Sequence, residues 1–208
     1  MTIPAHFSLL MWPHEAQTAL KYFASEKIIV IGTQTPTSML RDAARQHLRL
    51  VVTEFLSAAL DIAAHDLRLI SVIGQGIRTV VRDMDLQIST SHETGISVAA
   101  ISRLGQIGVD LMRTTLPDDW QDLAGVYLGD QHTASLIATP LSLQAQRFSQ
   151  YWTQLEASLK CAGLGLTEYE NQIQAAYRSQ LSNIRTFSIN TVPEYTASLA
   201  ISGTTDFA

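Results

Sequence analysis

The chain has one cysteine, Cys161, among 208 residues. An intramolecular disulfide framework and a cysteine-rich zinc site are therefore both excluded. Positive charge is also scarce: 14 lysines and arginines stand against 19 aspartates and glutamates, a formal net charge of −5. Sequence-independent nucleic-acid binding needs a basic surface that neutralises phosphates, so no nucleic-acid partner is expected. A local cationic pocket for one phosphorylated ligand remains compatible with that balance. Long apolar runs are missing too. No basic segment followed by an apolar stretch opens the chain, and Ile28–Gly32 is far too short to cross a bilayer. The expectation is a cytoplasmic protein with no membrane partner. Two catalytic signatures are absent as well. There is no Gly-x-Ser-x-Gly elbow, and Gly74-Gln75-Gly76 lacks the remainder of a dinucleotide fingerprint or a Walker A loop.

What is present suffices for a core, with 46% hydrophobic and 16% charged residues. Residues 1–24 carry scattered apolar side chains (Phe7, Leu9, Leu10, Met11, Trp12) before a short helical piece. Ile28–Ile31 reads as a buried strand, and a long amphipathic helix is expected over about Met39–Ala64. Its apolar positions are Ala43, Leu48, Val51, Val52, Phe55, Leu56 and Leu60. Arg41, Arg45 and Arg49 recur every four residues and form one basic stripe on that helix. Strand candidates follow at Leu67–Ile73, Ile77–Val81 and Leu86–Ser89. A hairpin is expected from Ile96–Ser102 and Gln106–Met112 around a turn at Arg103-Leu104-Gly105. Helices are expected over Asp118–Leu136, Ser142 to about Cys161 and Glu168–Gln180, with strands at Thr186–Ile189 and Tyr195–Ile201. Gly163 and Gly165 punctuate the end of the second helix. Hairpin-joined strands with separate helices read as α+β.

Three local patterns carry chemistry. Trp152, Glu156 and Lys160 sit at i, i+4 and i+8, along one helical face. By spacing alone, Glu156 and Lys160 also fit a solvated surface pair. In Gln106–Met112, Ile107, Val109 and Leu111 alternate with Gly108, Asp110 and Met112, so Asp110 faces away from the aliphatic side. A carboxylate in an apolar strand needs a partner, a metal or water at a sheet edge. Ser91-His92 closes the strand before the hairpin, where a histidine is also a common packing or capping residue.

In order and separation these patterns resemble the Sfp-type (surfactin-synthetase-activator) 4'-phosphopantetheinyl transferases over roughly residues 38–203. The matching residues are Ser91-His92, Gly108-Val109-Asp110, Trp152-Thr153 with Glu156-Ala157 and Lys160, and the Gly163-Leu164-Gly165-Leu166 tail. Arg41-Asp42-Ala43 stands where the family has a coenzyme A-contacting arginine, and Tyr195–Ala200 resembles its closing strand. The resemblance implies an α+β fold with a pseudo-twofold pair of lobes, residues 1–103 and 104–208, acting as a monomer. It implies transfer of 4'-phosphopantetheine from coenzyme A to a serine of an apo acyl or peptidyl carrier protein, releasing adenosine 3',5'-bisphosphate. Asp110 and Glu156 would hold Mg²⁺, Glu156 would act as base, and Lys160 would contact phosphate oxygens. Arg41, Gly74, Gln75, Ser91, His92 and Lys160 would bind the coenzyme.

The pattern departs in four places. Met112 stands where many members have glutamate, and Met112-Arg113-Thr114 is similar to a methionine-containing branch in which water completes the metal shell. Leu155 and Gln75 replace lysines, and Glu93 adds a negative charge after His92. These last three changes make the pocket less favourable to a polyanion, with Arg78 and Arg82 as candidate compensation. Two other readings remain: a non-catalytic coenzyme A or carrier-binding relative on the same fold, and a structural protein. Cys161 reads as a small buried thiol, and Trp12, Trp120 and Trp152 as packing residues.

Overall fold

Two strands rich in β-branched residues, Ile28–Gln34 (β2) and Ile96–Ser102 (β6), are apolar almost throughout, which suits strands covered on both faces. The computed structural model describes residues 7–72, 76–81, 84–166 and 181–202. It places both strands inside a nine-stranded sheet. The others are Phe7–Met11 (β1), Ile70–Val72 (β3), Gly76–Val81 (β4), Met84–Glu93 (β5), Ile107–Arg113 (β7), Ile184–Asn190 (β8) and Tyr195–Ser202 (β9). Their order is β3-β4-β5-β6-β2-β1-β8-β9-β7. Strand β1 runs parallel to both β2 and β8, and all other neighbours are antiparallel.

Period-two alternation splits the apolar side chains between two cores. Ile29, Ile31, Ile88 and Ile101 pack under two helices, Ala16–Ser25 (α1) and Arg41–Leu60 (α2), against Phe23, Leu48 and Phe55. Ile28, Val30, Val98 and Ala100 point the other way and meet Val109, Leu111, Leu199 and Ile201. Two short helices, Trp120–Leu123 (α3) and Asp130–Ile137 (α4), precede the long Leu141–Ala162 (α5). Helix α5 ends at Gly163 in the left-handed region (φ 71°), the punctuation expected there. Among the described residues no helix is long and apolar enough to cross a membrane.

The α+β class agrees with the sequence, but several local expectations need correction. Strands β6 and β7 do not form a hairpin. Strand β6 is flanked on both edges by β2 and β5, so it has no free edge, and β7 pairs instead with β9, Ile107 opposite Ile201. Strand β1 lies where only scattered apolar residues were visible, and its partners lie far along the chain. Helix α2 is shorter than expected. It stops at Leu60, where Asp61 adopts a left-handed conformation, and its buried alanine is Ala44 while Ala43 is exposed. The single helix expected over Asp118–Leu136 is broken by a wide turn at Ala124–Leu128 and by Gly129 (φ 79°). The helix expected at Glu168–Gln180 lies outside the described residues.

As the last strand of the sheet, β7 has an outer edge to satisfy. Its backbone N–H groups donate to side chains of β5 at every second residue. Val109 donates to Ser89 Oγ (3.0 Å), Leu111 to Ser91 Oγ (3.2 Å) and Arg113 to Glu93 Oε2 (3.4 Å). The other constraint on β7 is Gly108. A Cβ built there would lie 1.9 Å from the Ala157 carbonyl oxygen and 2.7 Å from the Cys161 amide nitrogen, both backbone atoms of α5. Gly108→Ala is therefore expected to push α5 off the strand. The expected loss is about 1–3 kcal/mol or more of stability, read from the urea midpoint of wild type and variant.

Candidate functional site

Helix α5 carries two parallel stripes offset by one residue. Thr153, Ala157 and Cys161 are buried against the sheet, which leaves Trp152, Glu156 and Lys160 along the flank. The β7 face that meets α5 presents Gly108, Asp110 and Met112, because Ile107, Val109 and Leu111 are committed to the core behind. The structure thus brings Asp110, Glu156 and Lys160 to one cleft. Asp110 is buried, and its Oδ1 accepts from Ser91 Oγ (2.9 Å) and from Lys160 Nζ (2.7 Å). Lys160 Nζ also reaches the Val109 carbonyl (3.1 Å). Behind Asp110, the Thr153 and Ser198 hydroxyls bond at 2.8 Å, and Ser198 is the register partner of Asp110 on β9. That bond fixes α5 to β9 at the level of the carboxylate.

The cleft has a volume of about 560 Å³, the size of a small-molecule site. Helix α2 contributes its whole basic stripe, Arg41, Arg45 and Arg49. Four cationic side chains therefore face two carboxylates in a chain whose overall charge is −5. Arg49 is held in place by Ser71 Oγ (2.9 Å) and the Leu69 carbonyl (2.5 Å). His92 lines the same cleft, and its Nδ1 bonds the buried Ser97 hydroxyl across the β5–β6 pair (2.9 Å). Burial, and then the positive charges of Arg45, Lys160 and Arg41, lower the His92 pKa to about 4. Burial and the Asp110 carboxylate raise the Glu156 pKa above the ordinary carboxylate range, with Lys160 opposing them.

Of the residues singled out in the sequence, Asp110, Glu156, Lys160, Ser91, His92 and Arg41 all line this cleft. Gly74, Gln75 and Arg82 lie outside the described residues. Ser91 is turned toward Asp110 and β7. Leu155 fills the small core formed by Phe148, Leu136 and Ala124, so its role is packing. The Glu93 carboxylate is tied to the amides of Thr94 and Arg113 and is absent from the cleft lining. Arg78 pairs with Asp85 and does not line the cleft. Arg45 and Arg49 also line the cleft, and the four-residue stripe pointed to them without fixing what it faced. Cys161 is buried, and its thiol is pushed up to about 12 by burial, which makes it unreactive. Trp12 belongs to the core, edge-on to Phe55, and Trp120 packs against the small core. Trp152 stacks on Phe148 while its flank lines the cleft.

The donor set fits a magnesium-like cation and fits zinc poorly. Among the described residues no group of three or more His, Cys, Asp or Glu side chains could close a metal cage. Mg²⁺ is commonly held by one or two carboxylates with ligand phosphates and waters. Asp110 and Glu156 line the cleft together and would supply that pair. Asp110 Oδ1 takes the hydrogen bonds from both Ser91 and Lys160, and Oδ2 makes none to the described residues.

Residues 106–201 match the family model described as the 4'-phosphopantetheinyl transferase superfamily. No curated protein matches the chain.

The position of His92 has a pH consequence. Unfolded His92 takes up a proton as the pH falls below about 6.5. In the fold it resists until about 4. Its contribution to stability is therefore complete above about 6.5 and lost progressively as the pH falls through that window. An NMR titration of the imidazole should give a midpoint near 4, and His92→Asn should flatten the acid limb of the stability profile. A polyanion bound beside Arg41 and Arg45 should move the midpoint upward.

Proposed function

We propose that the protein transfers the 4'-phosphopantetheine group of coenzyme A to a serine of an apo carrier protein, with Mg²⁺, releasing adenosine 3',5'-bisphosphate. The observation that carries this reading is the convergence of Asp110, Glu156 and Lys160 on the cleft that also receives Arg41, Arg45, Arg49 and His92. Carboxylates for a cation and guanidinium groups for phosphates together suit a metal-bound polyphosphate, and neither set alone does.

The residues divide the work by chemistry. Mg²⁺, held by Asp110 and Glu156, would neutralise and polarise the pyrophosphate oxygens. The arginine stripe binds the phosphates of the nucleotide end, where planar bidentate donors match phosphate geometry. His92 is neutral at pH 7 and offers one ring N–H, with Ser97 fixing Nδ1. Glu156, with its raised pKa, takes the proton of the carrier serine hydroxyl. The serine oxygen forms a new bond to phosphorus as the phosphorus–oxygen bond of the anhydride breaks, and the electron pair leaves on the bisphosphate. Lys160 supplies a further cation for the charge that develops on the phosphate oxygens. The proposal includes the two-lobed organisation with its boundary near residue 103, so that Arg41 and His92 come from one lobe and Asp110 and Glu156 from the other. On this division the two lobes meet in a shared core, where Ile28, Val30, Val98 and Ala100 of the first pack against Val109, Leu111, Leu199 and Ile201 of the second.

Incubation with coenzyme A, Mg²⁺ and a panel of apo carrier proteins should add the phosphopantetheine mass to at least one carrier. Chelation by EDTA should abolish the addition and Mg²⁺ restore it. Glu156→Gln should lower the rate about 10²–10⁴-fold, and Asp110→Ala should abolish it. Coenzyme A binding with no mass added to any carrier would replace this reading by that of a non-catalytic binding relative.

Stability should respond in the opposite sense. A carboxylate whose pKa is raised in the fold favours the folded state when protonated, and that advantage is lost as the pH rises through its folded pKa. At pH 7, Glu156→Gln should therefore show a thermal midpoint above wild type while being nearly inactive.

A further inference from the structure

We infer that Ser91 is the positioning residue of Asp110, and that its hydroxyl fixes which carboxylate oxygen is left for the cation. This rests on the reading of Asp110 as a metal ligand. Ser91 is buried on β5, and its Oγ has two partners. It accepts the amide of Leu111 (3.2 Å) and donates to Asp110 Oδ1 (2.9 Å). A serine hydroxyl carries a single proton. With that proton on Asp110, Ser91 cannot also donate to a phosphate oxygen, so the coenzyme-binding role implied by resemblance gives way to one directed at the carboxylate.

The geometry explains why two holders are present. Oδ1 is gripped from β5 by Ser91 and from α5 by Lys160 (2.7 Å), while Oδ2 has no hydrogen-bond partner among the described residues. Lys160 is a long side chain, about a third exposed, and can shift when a second cation arrives. Ser91 is paired to Val98 of β6 and its Oγ is also held by the Leu111 amide of β7, so it cannot follow. When Lys160 moves, Ser91 is the contact that keeps the carboxylate turned with Oδ2 outward. Groups that orient metal-binding side chains are worth roughly 10–100-fold in metal affinity.

The fold supplies its own control. Ser89, two residues earlier on the same face of β5, makes the equivalent bond to the Val109 amide (3.0 Å) and no bond to a carboxylate. Loss of either serine weakens the seam between β5 and β7, but only loss of Ser91 releases Asp110.

Mn²⁺ and Mg²⁺ titrations by calorimetry on the full chain, with and without coenzyme A, test this on wild type, Ser91→Ala, Ser91→Cys, Ser91→Thr and Ser89→Ala, with urea midpoints for each. Ser91→Ala should weaken cation binding roughly 10–100-fold and leave metal-free coenzyme A binding nearly unchanged. Ser91→Thr should restore cation affinity. Ser89→Ala should also lower the urea midpoint and leave cation affinity at the wild-type value. Should Ser91→Ala not fold, Ser91→Cys keeps the side-chain volume with a weak donor and should show the same loss. Wild-type cation affinity in the folded Ser91 variants, or an equal loss in Ser89→Ala, overturns the inference. A loss confined to metal-free coenzyme A binding also overturns it, by making Ser91 a ligand contact. Wild type that binds and transfers while Ser91→Ala is unaltered sinks this inference alone. Wild type that binds no divalent cation and modifies no carrier sinks it together with the transferase reading.

Discussion

A side chain at residue 108 would collide with the backbone of α5, and the distance that glycine permits between α5 and β7 governs the whole site. Ala157, at the point of contact, lies beside Glu156 on the helix, and Asp110 lies two residues along the strand on the same face. If the helix stood off by the extra width of a methyl group, Glu156 and Lys160 would retreat from Asp110 together. The buried Thr153–Ser198 bond pins the same approach one turn earlier, so the spacing is held at two levels. What makes the close packing tolerable is the size of the residues involved. Glycine, two alanines and a cysteine form the seam.

Much of this was legible in the sequence because it is periodic. The i, i+4, i+8 spacing of Trp152, Glu156 and Lys160 gave their common flank, and strict alternation gave the orientation of Asp110. The arginine stripe of α2 was equally plain as a stripe. Its destination was not, since helical spacing says which residues share a face and nothing about what the face meets. The failure at β6 and β7 has the same origin. Two strands joined by a tight glycine-containing turn satisfy every local rule for a hairpin. The competing fact is that both edges of β6 are taken, one by a strand that precedes it and one by β2, some seventy residues earlier in the chain. Pairing over such separations leaves no local mark.

The departures from the family pattern read differently once placed. Leu155 lies among aromatic and aliphatic side chains, so a lysine there would need to leave that core to act. Glu93 spends its carboxylate on backbone amides at the end of the β5–β7 seam. Positive charge reaches the cleft from guanidinium groups on consecutive turns of one helix. Such groups are always ionised and hold a fixed planar fork, so the cleft's positive character is insensitive to pH over the working range. The titrating members are His92 and Glu156, one pushed down and the other up.

Strand β1, the first of the described chain, lies between β2 and β8, and the sheet neighbour of β7 among the described residues is β9. A ribosome therefore delivers Asp110 long before it delivers the strand that pairs with β7. The helices and the β4–β5–β6 meander can form as they emerge, since their contacts are near neighbours in sequence. Strand β7, which carries Asp110, gains its sheet partner only when residues 195–202 arrive. That interval, in which β7 lacks its sheet partner, is where chaperone protection during synthesis would matter most.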